Sequence, residues 1–250
     1  MAGFQQLKVG KDLVFTGAAL YQPNVKGPMM TELKMFDETF VNDTIGDWGE
    51  RESNGSTISH SLVDGGAEII TCDASTDDDC GELYHNVQWS AASACGMEVK
   101  AKISQITAVG VAVGFVDATT NTNNLIAMEL TAPSTFKNMT TTADAVGMVF
   151  DTDATSKIWY CLAANNGTEG TPVAAFGSLA PVANTYFKIR VQTDTSGNVT
   201  FYYNGTAVGY LPAAIAYAAT DLLTPYVGFI SRSTANPVCT ISRITVWQNN

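Results

Sequence analysis

Between Thr185 and Tyr210 the sequence TYFKIRVQTDTSGNVTFYYNGTAVGY leaves the backbone few options. Phe187, Ile189 and Val191 alternate with Lys188, Arg190 and Gln192, the period of two that buries one face of a strand and wets the other. Asp194 to Asn198 (DTSGN) reads as a turn, because such residues tolerate positive φ or hydrogen-bond their own backbone. Val199, Phe201 and Tyr203 restore the alternation, and Asn204-Gly205 is the strongest two-residue hairpin signal. TAVGYL completes an antiparallel meander.

The same patterns recur along the chain. GMEVKAKIS sets Met97, Val99, Ala101 and Ile103 against Glu98, Lys100, Lys102 and Ser104, another one-sided strand. AVGVAVGFVD is apolar or small on both faces, so it is expected in the middle of a sheet, covered on both sides. TISHSLVDGGAEIIT reads as a hairpin turning at Asp64-Gly65-Gly66. NLIAMEL, AVGMVF, KIWYCLAA, TPYVGFIS and VCTISRITVW add strands, and PAAIAYAATDLL is the one plausible short helix. A succession of short antiparallel strands this long curls into two packed sheets, so the expected fold class is all-β, an antiparallel two-sheet sandwich of jelly-roll type.

Residues 1–33 break the pattern. GAALYQPNVKGPMMTE carries Gly and Pro and no sustained period, so the segment reads as an extended N-terminal arm before a sandwich over 34–250. Hydrophobic residues make up 46% of the 250 positions and charged residues 15%, a balance that supports a large core. The 24 Asp and Glu against 13 Lys and Arg give a formal charge of −11, which repels phosphate backbones and argues against nucleic-acid binding. No apolar run reaches the ~18 residues that span a bilayer, and the start lacks the apolar core of an export signal. A product made in the cytoplasm with no membrane partner is expected.

Cys72, Cys80, Cys95, Cys161 and Cys239 form an odd set without a Cys-x-x-Cys pair, so buried free thiols are expected. Cys72 and Cys80 would close a short loop only in an oxidising setting. The Asp73, Asp77, Asp78 and Asp79 loop offers the oxygens calcium prefers, but not in an EF-hand spacing, and reads as a solvated acidic loop with no metal.

FDETF, DWGERE, the Gly-Gly hairpin, GMEVKAKI with VGVAVGFVDA, the Thr185–Tyr210 meander and a final ISRITVWQ occur in an order that resembles concanavalin A-like lectin and glucanase jelly rolls. That resemblance covers about Lys34 to Gln248 and implies carbohydrate binding or glycoside hydrolysis. Glucanases of this kind place paired carboxylates on alternate positions of one strand, because acid and nucleophile must share a face. No Glu-x-Asp-x-Glu run is present. Glu68 and Glu129 stand alone in the sequence, Glu50-Arg51-Glu52 reads as a loop after Asp47-Trp48-Gly49, and Asp151-Thr152-Asp153 falls where a strand ends. His60 and His85 lie in no nucleophile motif, and no nucleotide-binding loop occurs, so neither a catalytic centre nor a cofactor is expected.

The arm and the Ala-, Thr- and Gly-rich style also look like virion structural proteins of tailed bacteriophages. The leading expectation is therefore a non-enzymatic capsid decoration, cement or head-fibre protein in the virion. Its arm would hold viral capsid proteins or sister subunits, and the protein would form a homo-oligomer, for which a trimer is one natural symmetric assembly. A lectin-like receptor-binding module touching cell-surface glycan is the alternative, with Trp48, expected to be exposed, as the candidate glycan contact. A glycoside hydrolase with unrecognised catalytic residues is the third. Trp159 and Trp247 are expected to pack.

Overall fold

The structure, a computed structural model, describes residues 33–41, 48–62, 65–73, 77–86, 89–117, 125–132, 135–138, 144–212 and 222–249. The first strands are β1 (Leu33–Glu38), β2 (Gly49–Ser53), β3 (Thr57–Ser61), β4 (Ala67–Thr71), β5 (Cys80–Tyr84), β6 (Trp89–Ser90) and β7 (Gly96–Ile103). Next come β8 (Val109–Val116), β9 (Met128–Thr131), β10 (Thr135–Asn138), β11 (Ala145–Asp151), β12 (Trp159–Asn165), β13 (Thr168–Glu169) and β14 (Val173–Ala174). The chain closes with β15 (Phe187–Thr193), β16 (Val199–Tyr203), β17 (Thr206–Leu211), β18 (Leu222–Ser231) and β19 (Val238–Asn249).

Two antiparallel sheets form the sandwich. One runs β17-β16-β15-β7-β19-β4-β3, with β1 added beside β19; the other runs β13-β12-β11-β8-β18-β5-β2, with β14 on β12 and β6 on β18. The meander is in place: Phe187, Ile189 and Val191 point inward, and Asn204 and Gly205 take φ of 50° and 84°, the positive pair that their turn demands. The fully buried β8 lies between β11 and β18, as an all-apolar strand requires. A bulge at Ser242 divides β19: Val238–Ile241 pair with β4 and Ile244–Asn249 with β1, so one long strand carries both of them beside β7.

The expected helix lies mostly outside the described residues; its last two residues, Leu222 and Leu223, open β18. Residues 1–32 of the arm also lie outside. Glu50-Arg51-Glu52 is not a loop: it is the centre of β2, paired with β5 from Gly49–Tyr84 to Ser53–Cys80. Charged residues suit this edge position, where one strand face is wet and an apolar edge would invite further pairing.

Between the sheets lies the main core, in which Trp159 meets Phe150, Phe187 and Tyr203 at centroid distances of 5.7, 5.4 and 6.3 Å. A second core lies outside the sandwich. On the outer face of the β8 sheet, Ala112, Val116, Ala145, Val149, Leu162, Tyr226 and Ile230 are buried beneath the strap Leu125–Leu130, whose Ile126, Met128 and Leu130 are fully buried. Each such side chain contributes about 1.5–3 kcal/mol. Small residues below make room: a Cβ on Gly228 would stand 3.0 Å from Ile126 Cβ, and one on Gly147 would stand 2.8 Å from Met128 Cε.

Candidate functional site

The carboxylates that stand apart in sequence meet beneath the strap. In β2, Glu50 and Glu52 take one face and Arg51 the other, which aims its guanidinium at Glu82 of β5. Arg51 Nε donates to Glu82 Oε2, and its Nη2 donates to the Leu125 carbonyl at 2.7 Å. Glu82 Oε1 accepts from Tyr226 Oη and from the Ala127 amide at 3.1 Å, and that amide also donates to Tyr226 Oη at 2.8 Å. Glu129 accepts from the Ile126 amide at 3.1 Å and lies 3.1 Å from Arg232 Nη2.

Arg232 follows β18 directly and grips Asp151 with two donors, Nε at 3.1 Å and Nη2 at 2.6 Å. It also reaches Asp78 at 2.7 Å, while Asp151 takes the Leu130 amide at 3.2 Å and the Asp153 amide at 3.0 Å. Glu82, Glu129 and Asp151 are 2%, 3% and 0% exposed. Burial pushes the Glu129 carboxyl up to about 7, against the pull of Arg232 and with help from the Asp151 charge. Burial and the neighbouring Glu82 lift the Tyr226 phenol well above its ordinary value.

A carboxyl poised near neutrality suits acid–base chemistry. Here, however, its oxygens are taken by a backbone amide and an arginine, and the strap covers it. A glycoside hydrolase needs two carboxyl groups facing the glycosidic bond. Among the described residues, these three instead fasten a chain segment to a sheet.

A second acidic group sits between the sheets at the β2–β3 edge. His60 Nδ1 lies 2.9 Å from Glu68 Oε1, and Glu68 is fully buried with Oε2 unpaired. Burial raises both the Glu68 and Glu50 carboxyls; the nearby Glu38 adds to the first and Glu68 to the second. No nucleophile is paired with His60 among the described residues.

Among the described residues nothing covers the outward face of the β7 sheet. Because β7, β15 and β19 alternate, Glu98, Lys100, Lys188, Arg243 and Thr245 project on the same side, where with Ser242 they line a groove of 310 Å³. That volume reaches the ~300 Å³ at which ligand pockets begin. Lys188 lies 3.7 Å from Glu98, and Arg243 is held by both oxygens of Asp37 at 2.8 Å. Burial opposes the Asp37 charge, but hydrogen bonds from Arg243 and Thr245 carry its carboxyl below the usual value. On the same face Lys100 and Lys102 lie over Tyr186, and Arg190 lies over Tyr202 at 3.7 Å. Half-buried Trp247 covers Gly96 on the same face, where a Cβ would stand 2.4 Å from its ring.

Trp48 requires correction. It is 7% exposed and packs with Phe36 and His85 at centroid distances of 6.1 and 5.4 Å, so its ring offers no face to a sugar. An aromatic beside an edge strand covers the end of the core, which a sequence window full of acids and glycines conceals. Trp159 is buried as expected, whereas Trp247 keeps partial exposure. All five cysteines, Cys72 and Cys80 among them, are free and buried. In the acidic loop Asp78 pairs with Arg232 and Asp79 is buried; among the described residues no cluster of three or more His, Cys, Asp or Glu could hold a metal ion. Arg51, Glu82, Tyr226, Arg232 and Tyr186 belong to no sequence motif. Arg232, a lone cation ending the apolar run of β18, was the available signal.

No protein-family model matches the sequence, and no curated protein matches it. Solved structures do match in shape. The Emp47p carbohydrate recognition domain is 12% identical with a TM-score of 0.60, covering 90% of this chain and 100% of that one. A Bacillus licheniformis β-glucanase is 12% identical with a TM-score of 0.58, covering 86% and 98%. An endo-β-1,4-glucuronan lyase from Trichoderma reesei is 11% identical with a TM-score of 0.57, covering 86% and 95%. With its two antiparallel sheets in this order, the chain has the concanavalin A-like sandwich fold.

Proposed function

We propose that this protein is a carbohydrate-binding, lectin-like module that holds its ligand on the outward face of the β7 sheet and does not cleave it. The observation that carries this reading is the contrast between the two outer faces. One has its carboxylates sealed under Leu125–Leu130 by arginines and amides. The other presents a polar groove among the described residues, and Trp247, Tyr186 and Tyr202 lie elsewhere on the same face. Sugars need this mixture: hydroxyls take charged and hydroxyl partners, and the apolar face of the ring lies on an aromatic. The named activities of the lectin-domain, glucanase and lyase neighbours make carbohydrate the ligand class to test first.

The test is affinity electrophoresis against a polysaccharide panel, with new reducing ends and unsaturated products assayed in parallel. Binding without products is the expected result, and Trp247→Ala with Tyr202→Ala should weaken it about tenfold. Hydrolysis or elimination abolished by Glu129→Gln would overturn the non-catalytic half. A virion structural role remains a separate proposal, carried by composition and by the arm over residues 1–33. Its test is particle incorporation after deletion of residues 2–32, since Leu33 already pairs with Asn249 in β1.

A further inference from the structure

Five of the chain's 13 basic residues share one face. Lys100 and Lys102 of β7, Lys188 and Arg190 of β15 and Arg243 of β19 project outward, whereas the acids among them are Glu98 and Asp37. Among the described residues, five cations against two carboxylates leave a surplus of three on this face of a chain whose formal charge is −11. Register places Lys188 opposite Lys100, and Lys100 opposite Arg243, so the cations run across three adjacent strands as a band. Neighbouring strands lie ~4.8 Å apart. Like charges set this close repel one another, and nothing in the packing of the sandwich requires them there.

Lys100 and Lys102 lie over the Tyr186 ring, which leaves their positive charge in place. Arg243 is closed by Asp37 on both oxygens. Glu98 reaches Lys188 only at 3.7 Å. Arg190 lies over Tyr202, and its Nε is buried without a hydrogen-bond partner. The groove also holds the hydroxyls of Ser242 and Thr245 and the carboxylate of Glu98, acceptors that need hydroxyl donors from a ligand.

We propose that the ligand of this face is an acidic polysaccharide built from uronic acid residues, its carboxylates held by Lys100 and Lys188 and its ring hydroxyls by Glu98, Ser242 and Thr245. The inference rests on the carbohydrate-binding reading above and adds the charge of the sugar. A uronic chain supplies both anions and free hydroxyls. A heavily sulfated chain would leave Glu98 facing sulfates, and a neutral chain would leave the cation band unmatched.

Isothermal titration of the full chain with oligogalacturonate, with the same oligomer methyl-esterified, and with a sulfated glycan separates these cases. The free acid should bind at least about tenfold more tightly than its ester. Its affinity should fall as salt is raised, since exposed charges are screened beyond ~10 Å at 0.1 M. Lys100→Gln/Lys188→Gln should lose about tenfold with an unchanged melting temperature, and Lys157→Gln, away from the face, should lose nothing. Equal binding of acid and ester would overturn the charge inference while leaving the glycan reading intact. Preference for the sulfated chain, or acid binding indifferent to Lys100→Gln/Lys188→Gln, would overturn it too. Binding of no glycan, charged or neutral, would overturn both, and a dimer that these two substitutions dissociate would assign the face to a second copy of the chain.

Discussion

Replacing Arg232 by Met keeps the volume of the side chain and removes its charge. In the folded protein this cation has 5% side-chain exposure and lies within 3.1 Å of Asp151 and Glu129, which are 0% and 3% exposed. Its removal leaves two buried carboxylates facing each other without a cation, a change that costs about 3–5 kcal/mol. For a chain of this size each kcal/mol moves the melting temperature by roughly 2–4 °C, so calorimetry at pH 8 should show a drop on the order of 10 °C. The sign with pH follows from linkage. The Glu129 carboxyl is already raised by burial and loses the opposing pull of Arg232 in the variant, so its folded state binds protons more tightly and the variant regains stability as pH falls. The gap between Arg232→Met and the parent should therefore narrow from pH 8 to pH 5, and Glu129→Gln added to the variant should recover part of the loss. A drop of under about 2 °C that is equal at both pH values would refute the claim that this arginine fastens the strap.

Glu129 alone gives a second pH signature. Its carboxyl is raised to about 7 from an ordinary 4.5, so its contribution is fully present below pH 4.5 and is lost as pH rises through 7; Glu129→Gln should gain on the parent by on the order of 3 kcal/mol between pH 4.5 and 8 in chemical denaturation. Trp48→Ala should cost about 3–5 kcal/mol through the cavity it leaves, with glycan affinity per folded molecule unchanged; a selective loss of binding would restore the ring as a contact. The native chain should stay silent to a thiol reagent and show all five thiols in denaturant, because burial pushes Cys80 and Cys95 up to about 11 and Cys161 and Cys239 up to about 12. Rapid native labelling of any cysteine would contradict the packing around it.

The sandwich was legible because its signals are local. Alternation in Phe187–Val191, the Asn204-Gly205 turn and the two-faced apolar run of β8 each report on a few neighbours, and each is found where expected. The strap network was not legible, because its members are joined by separations of 31, 81 and 144 positions and each looks solitary in its own window. The carboxylates come from three strands, β5, β9 and β11, so no single strand displays them in alternation. Glu50-Arg51-Glu52 was misread because acids at a sheet edge resemble acids in a loop. Trp48 sits in a polar sequence window between Asp47 and Gly49, yet its ring points into the core. The basic face falls between these cases: GMEVKAKI and FKIRV show their cations as outward positions, but only the register of β15, β7 and β19 puts them side by side.

Backbone amide shifts followed during titration with an oligosaccharide found to bind would locate the site directly. The binding reading expects the largest changes at Glu98, Lys100, Lys188, Arg243 and Trp247, with Leu125–Leu130 unmoved. Changes centred on the strap and on Glu82, Glu129 and Asp151 would contradict it, and would return those carboxylates to consideration as a catalytic group.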